Sequence, residues 1–217
     1  MVGGTATTHK FNLKNPADTN AAFRLNFAGG WTHSANGALP NGTNAFADTF
    51  IISSVSLTTS SGHISLYSRI QSLLASNIDI GAGTGSGLSN LNALVVGRST
   101  NTSSFAWGTQ NAGTIATFSS SSSQGLFIGN QNGSIASARN LFRNAIAGTA
   151  ATVYGTPVMP NRSLYLGALN SEAINGPTLF SSRDFAFATI GAGLTSIEIT
   201  NFYNAVQAFQ TTLGRQV

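Results

Sequence analysis

The hydrophobic period of this chain is two along most of its length and changes to 3.6 once, after residue 194. That single change limits the fold. Alternating segments make strands buried on one face, and one amphipathic helix must find an apolar surface to lie on. The helix start is written in Thr195-Ser196-Ile197-Glu198. In a capping box the Thr195 hydroxyl accepts from the Glu198 N–H, and the Glu198 carboxylate accepts from the Thr195 N–H. Leu194 and Ile199 then fall at the two positions of a hydrophobic staple, which fixes the angle of entry. Ile199, Phe202, Tyr203, Val206, Phe209 and Leu213 recur at three- and four-residue spacing, predicting a helix over 196–213 with one buried stripe. Gly214 suits the left-handed position that ends it.

Before the helix, the segments read as strands. Phe23, Leu25 and Phe27 alternate with Arg24 and Asn26. A long, turn-rich loop is expected from Gly29 to Gly42, carrying Trp31 and His33, and loops of that length tend to be functional or to pack on a partner. Thr49 to Leu57 and His63 to Ile70 are the next strands. In the second, Ile64, Leu66, Ser68 and Ile70 share one face and His63, Ser65, Tyr67 and Arg69 the other, a polar row that is either a solvated sheet side or a concave binding face. The glycines from Gly81 to Gly87 predict a flexible hairpin loop; they miss the spacing of a phosphate cradle and no lysine follows. Leu91 to Val96, Ser103 to Trp107, Thr114 to Phe118 and Gln124 to Gly129 follow. Asn132-Gly133 then signals a hairpin whose return strand is Asn140 to Asn144. Leu164, Leu166 and Ala168 alternate next. In Phe185 to Ile190 both faces are apolar, which asks for a strand between the other sheet and the helix. Many short strands and one helix predict an all-β, two-sheet antiparallel β-sandwich with one C-terminal α-helix. At 217 residues it is expected as an N-terminal arm over 1–14, mobile at its start, followed by one domain over 15–217.

Chemistry is sparse. Ten Lys plus Arg against six Asp plus Glu make 7% charged residues, far below the usual quarter or so. The cations are scattered singly, whereas a nucleic-acid footprint needs them clustered. No run is apolar enough for a membrane span, and the first ten residues lack the pattern of a signal peptide. There is no cysteine. His9, His33 and His63 are the available bases, and none stands near a nucleophile motif. Glycoside hydrolysis needs two carboxylates about 5 to 10 Å apart, and the supply is poor: the capping box accounts for Glu198, while Glu172 and Asp184 lie in a loop and at a strand start. Asp48 and Asp79 are isolated carboxylates for which a turn or solvent role is favoured over calcium ligation. No catalytic residue, metal ligand or cofactor is therefore expected. The aromatics suited to a ligand platform are Trp31, Trp107 and Tyr154, with a structural wedge the favoured reading for Trp31.

Three stretches carry a resemblance. Leu194-Thr195-Ser196-Ile197-Glu198-Ile199-Thr200-Asn201-Phe202-Tyr203 looks like the closing signature of laminin-G-like, concanavalin A-type jelly rolls. Asn140 to Asn144 resembles that family's strand before a turn glycine, a place taken here by Ala145, and Arg162 to Ala168 resembles a later strand. The tail from Tyr203 to Val217 is similar to the ends of laminin-G-like structural proteins encoded by bacteriophages and prophages. The resemblance implies a concanavalin A-like jelly roll and a non-enzymatic bacteriophage virion protein, a capsid decoration or fibre subunit displayed on the particle. Its partners would be the major capsid protein or tail and fibre proteins, and further copies of itself as a homo-oligomer. The alternative is a carbohydrate-binding, lectin-like receptor-recognition module of a tail fibre or secreted adhesin, taking a host-surface glycan on Trp31, Trp107 or Tyr154.

Overall fold

The alternating segments pair into ladders that hide their apolar sides from water, and the computed structural model shows how. It describes residues 1–22, 24–84, 89–109 and 111–217. Phe23 and the Gly85 to Gly87 part of the glycine-rich stretch lie outside these. The elements in order are α1 (Ala6–His9), β1 (Asn26–Ala28), β2 (Trp31–Ser34), β3 (Gly37–Pro40), β4 (Phe46–Ile52), α2 (Ser53–Ser56), β5 (Ser61–Ser68), β6 (Ile80–Gly83), β7 (Leu91–Val95) and β8 (Thr102–Thr109). There follow β9 (Ala116–Ser119), β10 (Gly125–Asn132), β11 (Arg139–Arg143), β12 (Ile146–Ala147), β13 (Ser163–Leu166), β14 (Leu169–Ser171), β15 (Gly176–Thr178), β16 (Phe187–Gly191) and α3 (Ser196–Thr212).

Among the described residues, β1-β4-β13-β6-β7-β8-β9 form one sheet, with β14 and β15 attached at β6, and β12-β11-β10-β5-β16 form a second. The pairings are antiparallel except that β14 runs parallel to β6. The inner faces close on Ile64, Leu66, Ile80, Leu94, Phe105, Trp107 and Phe127, so the molecule is an antiparallel β-sandwich. Two glycines make room for its largest rings. A Cβ on Gly62 would collide with the Trp107 indole and one on Gly129 with the Phe105 ring, so both rings lie directly on the backbone of β5 and β10.

α3 lies on the outside of the five-stranded sheet. The Thr195 N–H donates to Glu198 Oε2 at 2.8 Å and the Glu198 N–H to Thr195 Oγ1 at 3.3 Å, the reciprocal cap its sequence predicts. Ile199 and Val206 are buried with Tyr67, Leu126 and Ile128 of the sheet, and Leu194, Phe202 and Tyr203 pack around them. Burying two such aliphatic side chains contributes about 1.5–3 kcal/mol each. The helix stops one residue before the predicted 213. Gly214 at φ +66 lets its N–H donate to the Thr211 carbonyl, and the Arg215 N–H to that of Gln210, a Schellman motif. That turn drives Arg215 back under the helix, where its Nε donates to Gln210 Oε1 at 2.6 Å. Gln210 is accordingly buried, while Leu213 is 39% exposed. Among the described residues no helix is long and apolar enough to cross a membrane.

Several local expectations change. The segment from Gly29 to Gly42 is the hairpin β2–β3, not an open loop, with Ser34 opposite Gly37. Gly81 and Gly83 lie in β6, where the chain needs small residues against Ile78, Leu169 and Leu91. The N-terminal arm is docked: His9 is buried, and the Met1 amino group donates to the Ala186 carbonyl at 2.7 Å. Phe185 enters the inner core and Ala186 the helix side, opposite to the simple alternation, because the ladder of β16 begins only at Phe187.

Candidate functional site

Residue type suggested the ligand platform, and burial redistributes it. Trp107 on β8 has no exposed surface; its Nε1–H donates to the Thr58 carbonyl at 2.9 Å. An indole enclosed on all sides has no face for a ligand, so its expected platform role is withdrawn. Trp31 on β2 wedges edge-on against Phe27 and Phe185, and its Nε1–H is shared between the carbonyls of Ala28 and Phe46. Tyr154 is half-buried, its hydroxyl donating to Thr59 and its ring backed by the Arg139 guanidinium at 5.8 Å. Thr195 and Glu198 are committed to the helix cap.

The polar row on β5 meets the same fate. His63 Nδ1–H donates to the Ala192 carbonyl at 2.6 Å and its Nε2 lies 2.9 Å from Thr189 Oγ1, so a neutral ring suits both contacts. Burial lowers its pKa, opposed by the Ala192 bond. The Tyr67 hydroxyl donates to Gln207 Oε1 of α3 at 2.8 Å. The row is neither a solvated side nor a binding face, because α3 covers it. Most acids are likewise occupied. Asp79 holds buried Arg183 at 3.2 Å, Asp184 accepts from Ser68 and the amides of Arg69 and Ile70, and Asp18 pairs with Lys10 and Arg24. Among the described residues no three His, Asp or Glu side chains gather as a metal would require. Arg139, Arg183 and Arg215 are all buried, which thins the surface cations further.

One polar-aromatic face stays open. On β4, Ala47 points into the core, so Phe46 and Asp48 point outward, and Tyr165 of β13 does the same between Leu164 and Leu166. Asp48 sits in register between Asn26 on β1 and Tyr165 on β13. The rings of Phe46 and Tyr165 stack with centroids 4.7 Å apart and planes 23° apart. Beyond them the strand is bulged: Tyr165 pairs with Asp48 but Ser163 with Ile52, so two residues of β4 are extra. Phe50 takes up the excess at φ +57, a rare conformation for a bulky residue, and its N–H donates to Asp48 Oδ1 at 2.8 Å. Thr49 Oγ1 donates to the Leu164 carbonyl and accepts from the Ile51 N–H. Partial burial first, and the Asp48 carboxylate second, raise the Tyr165 pKa while Arg162 lowers it, so the phenol keeps its proton as a donor. Aromatic surface, a carboxylate acceptor, a phenol and the Asn26 amide thus share one sheet face, with the Arg162 charge near enough to act on the phenol. That combination can stack on the C–H faces of a ring and hydrogen-bond its hydroxyls. Sequence reasoning passed over Phe46 and Tyr165. The signal was the alternation of Phe46, Asp48 and Phe50 against Ala47 and Thr49.

Two concavities lie elsewhere. A cleft of about 390 Å³ runs beneath residues 10–14, and a notch of about 210 Å³ is lined by Asn130, Asn132, Asn140 and the first residues of α3.

No family model matches this chain, and no curated protein matches it. Solved structures do. Domain 4 of AbnA, a GH43 extracellular arabinanase from Geobacillus stearothermophilus in complex with arabinotriose, superposes with a TM-score of 0.51 at 14% identity over 90% of this chain and 96% of that one. The NanB sialidase from Streptococcus pneumoniae superposes with a TM-score of 0.50 at 12% identity over 67% of this chain. The match spans about a quarter, 24%, of the sialidase chain. Likenesses at such identities are likenesses of fold, the jelly-roll-like β-sandwich.

Proposed function

We propose that this chain is a non-catalytic carbohydrate-binding β-sandwich, and that its ligand lies on the outer face of β4 and β13. The observation that carries this reading is the stacked, partly exposed pair of Phe46 and Tyr165, set beside Asp48 and Asn26 in register on three neighbouring strands. Stacking supplies affinity without demanding a deep pocket, and the amide, phenol and carboxylate supply direction. The fold it shares with an arabinanase domain solved with arabinotriose supports the reading. So does the commitment of Asp18, Asp79, Asp184 and Glu198 to ion pairs, backbone bonds or a cap, which leaves few acids for hydrolysis. A glycan array probed with the wild type and with Tyr165→Ala tests it. Selective binding to neutral oligosaccharides, weakened about tenfold or more in Tyr165→Ala while the melting temperature moves by only about 2–4 °C, is expected. No binding by the wild type, or binding indifferent to Tyr165→Ala and Phe46→Ala, would falsify it.

A second reading adds location: a laminin-G-like module displayed on a bacteriophage virion as a capsid decoration or fibre subunit, assembled with other virion proteins and with copies of itself. It is favoured by a surface poor in charge, from which three arginines are withdrawn, and by the likeness of the C-terminal tail. Mass spectrometry of purified particles decides it. Many copies per particle mean decoration, few mean tail or fibre, and none removes the virion reading while leaving the binding face untouched.

A further inference from the structure

The cleft under the N-terminal segment lies between the edges of the two sheets. β1 ends one sheet and β16 ends the other. Facing edges of a sandwich leave apolar side chains that neither sheet covers. Leu25, Ile51, Ala188 and Ile190, all partly exposed, form that floor here, with Leu166 and Phe187 at its margins. Residues 10–14 cross above it, tethered by the Phe11–Arg24 bridge and by the Leu25 N–H donating to the Lys10 carbonyl. Yet they do not fill it. Leu13, the apolar side chain placed to plug the gap, lines the cleft but is 60% exposed. The remaining volume, about 390 Å³, falls in the range of small-molecule sites.

The mouth has a sign. Lys10, Lys14 and Arg24 line it. Asp18 is the carboxylate that answers them, paired with Lys10 at 2.8 Å and with Arg24 at 2.7 Å. Lys14 makes no ion pair among the described residues. An occupant that satisfies both parts carries a flexible apolar chain for the floor and one anionic head for the rim.

We propose that this cleft binds a single-chain amphiphile with an anionic head, a free alkyl carboxylate. The chain lies on Ile51 and Ile190 and covers Leu13, and the carboxylate meets Lys14 at the mouth. Ile51 and Leu166 are neighbours of the aromatic face along the same strands but point the other way, so this site is separate from the glycan site.

Isothermal titration with monomeric decanoate tests the proposal. One decanoate per chain is expected, with butyrate silent because it lacks the chain. 1-Decanol should bind about tenfold more weakly, the loss of one charge-assisted contact. Leu13→Asp, at an exposed position, should weaken decanoate about tenfold or more, while Ala188→Leu should abolish binding by filling the floor. Should Ala188→Leu fail to fold, Leu13→Asp still decides. Equal binding of decanol and decanoate, affinity unchanged in Leu13→Asp, or binding to anionic phospholipid vesicles but not to the monomer would each overturn it. Glycan binding measured on Leu13→Asp should be intact, so failure here is distinguishable from failure of the aromatic face.

Discussion

The two sheets of the sandwich have opposite outer faces. The outer face of the five-stranded sheet carries His63, Ser65 and Tyr67, and α3 lies over it, so these groups bond to Ala192, Thr189 and Gln207. At β4 and β13 the other sheet carries Phe46, Asp48 and Tyr165, and among the described residues no helix packs over them as α3 does over the other sheet. Both sets would read as binding residues in isolation. What separates them is the cover. Under a helix a polar-aromatic row is consumed by satisfying buried donors and acceptors, whereas in the open the same chemistry remains available to a ligand.

The largest effect should come from uncovering the closed face. Ile199→Ala removes a fully buried side chain between α3 and the sheet and should cost about 3 kcal/mol in a denaturant titration, with glycan binding retained below the transition. If Ile199→Ala instead abolished binding in the folded protein, the division of labour between faces would fail. Tyr165→Ala is the converse. It should weaken glycan binding about tenfold or more, by calorimetry, while changing stability by only about 1 kcal/mol, the size of one aromatic pair. Ala145→Gly sharpens the contrast from the stable side. Asn144 and Ala145 form the two-residue turn between β11 and β12 at φ +50 and +63. Relieving alanine of that left-handed conformation should stabilise the fold by about 1 kcal/mol, without effect on binding.

The smallest effect concerns the N-terminal segment. His9 Nε2 accepts from the Gly4 N–H at 3.1 Å, so its Nδ1 carries the proton and donates to His33 Nδ1 at 3.0 Å. Protonating either ring removes an acceptor. Desolvation first, then His33, the amino terminus and Arg215, lower the His9 pKa from 6.5 to about 4. A base whose folded pKa is depressed must take up a proton to unfold in that window, so the His9 contribution to docking is fully present above pH 6.5 and is lost as pH falls toward 4. The Met1 amine, lowered by burial from 8.0 to about 5, adds a loss that begins below pH 8. The facing groups are His33, the Met1 amine and Arg215, none of them an anion. The protection factors of amides 5–10, exchange measured relative to the intrinsic rate at each pH, should therefore fall across that interval, and the double change His9→Phe and His33→Phe should remove the histidine part of the profile.

Much of this architecture was legible beforehand, for local reasons. The capping box, the staple and Gly214 are short-range signals, and α3 begins and ends within a residue of where they put it. Period-two alternation likewise identified β5, β7, β8, β10 and β11. The hairpin β2–β3 was missed because its strands are four residues each and β3 begins at a glycine and ends at a proline, residues that read as turn signals. The site was not legible. Whether Trp107 or Tyr165 is exposed depends on Gly62, which draws the indole onto β5, and on the bulge at Phe50, which shapes the face beside Asp48. Neither appears in the residue types of the rings themselves. Gln210 shows the same limit: a polar side chain is buried in the helix stripe because Arg215 folds back onto it.

The central claim is that the open face of β4 and β13, not the face under α3, meets the ligand. Titrating isotopically labelled protein with arabino-oligosaccharides and other neutral glycans, and following backbone amide shifts, tests it most directly. The account predicts perturbations centred on Asn26, Phe46, Asp48 and Tyr165, absent in Tyr165→Ala. Perturbations centred on α3 or the helix-covered strands, or no perturbation with any glycan, would contradict it.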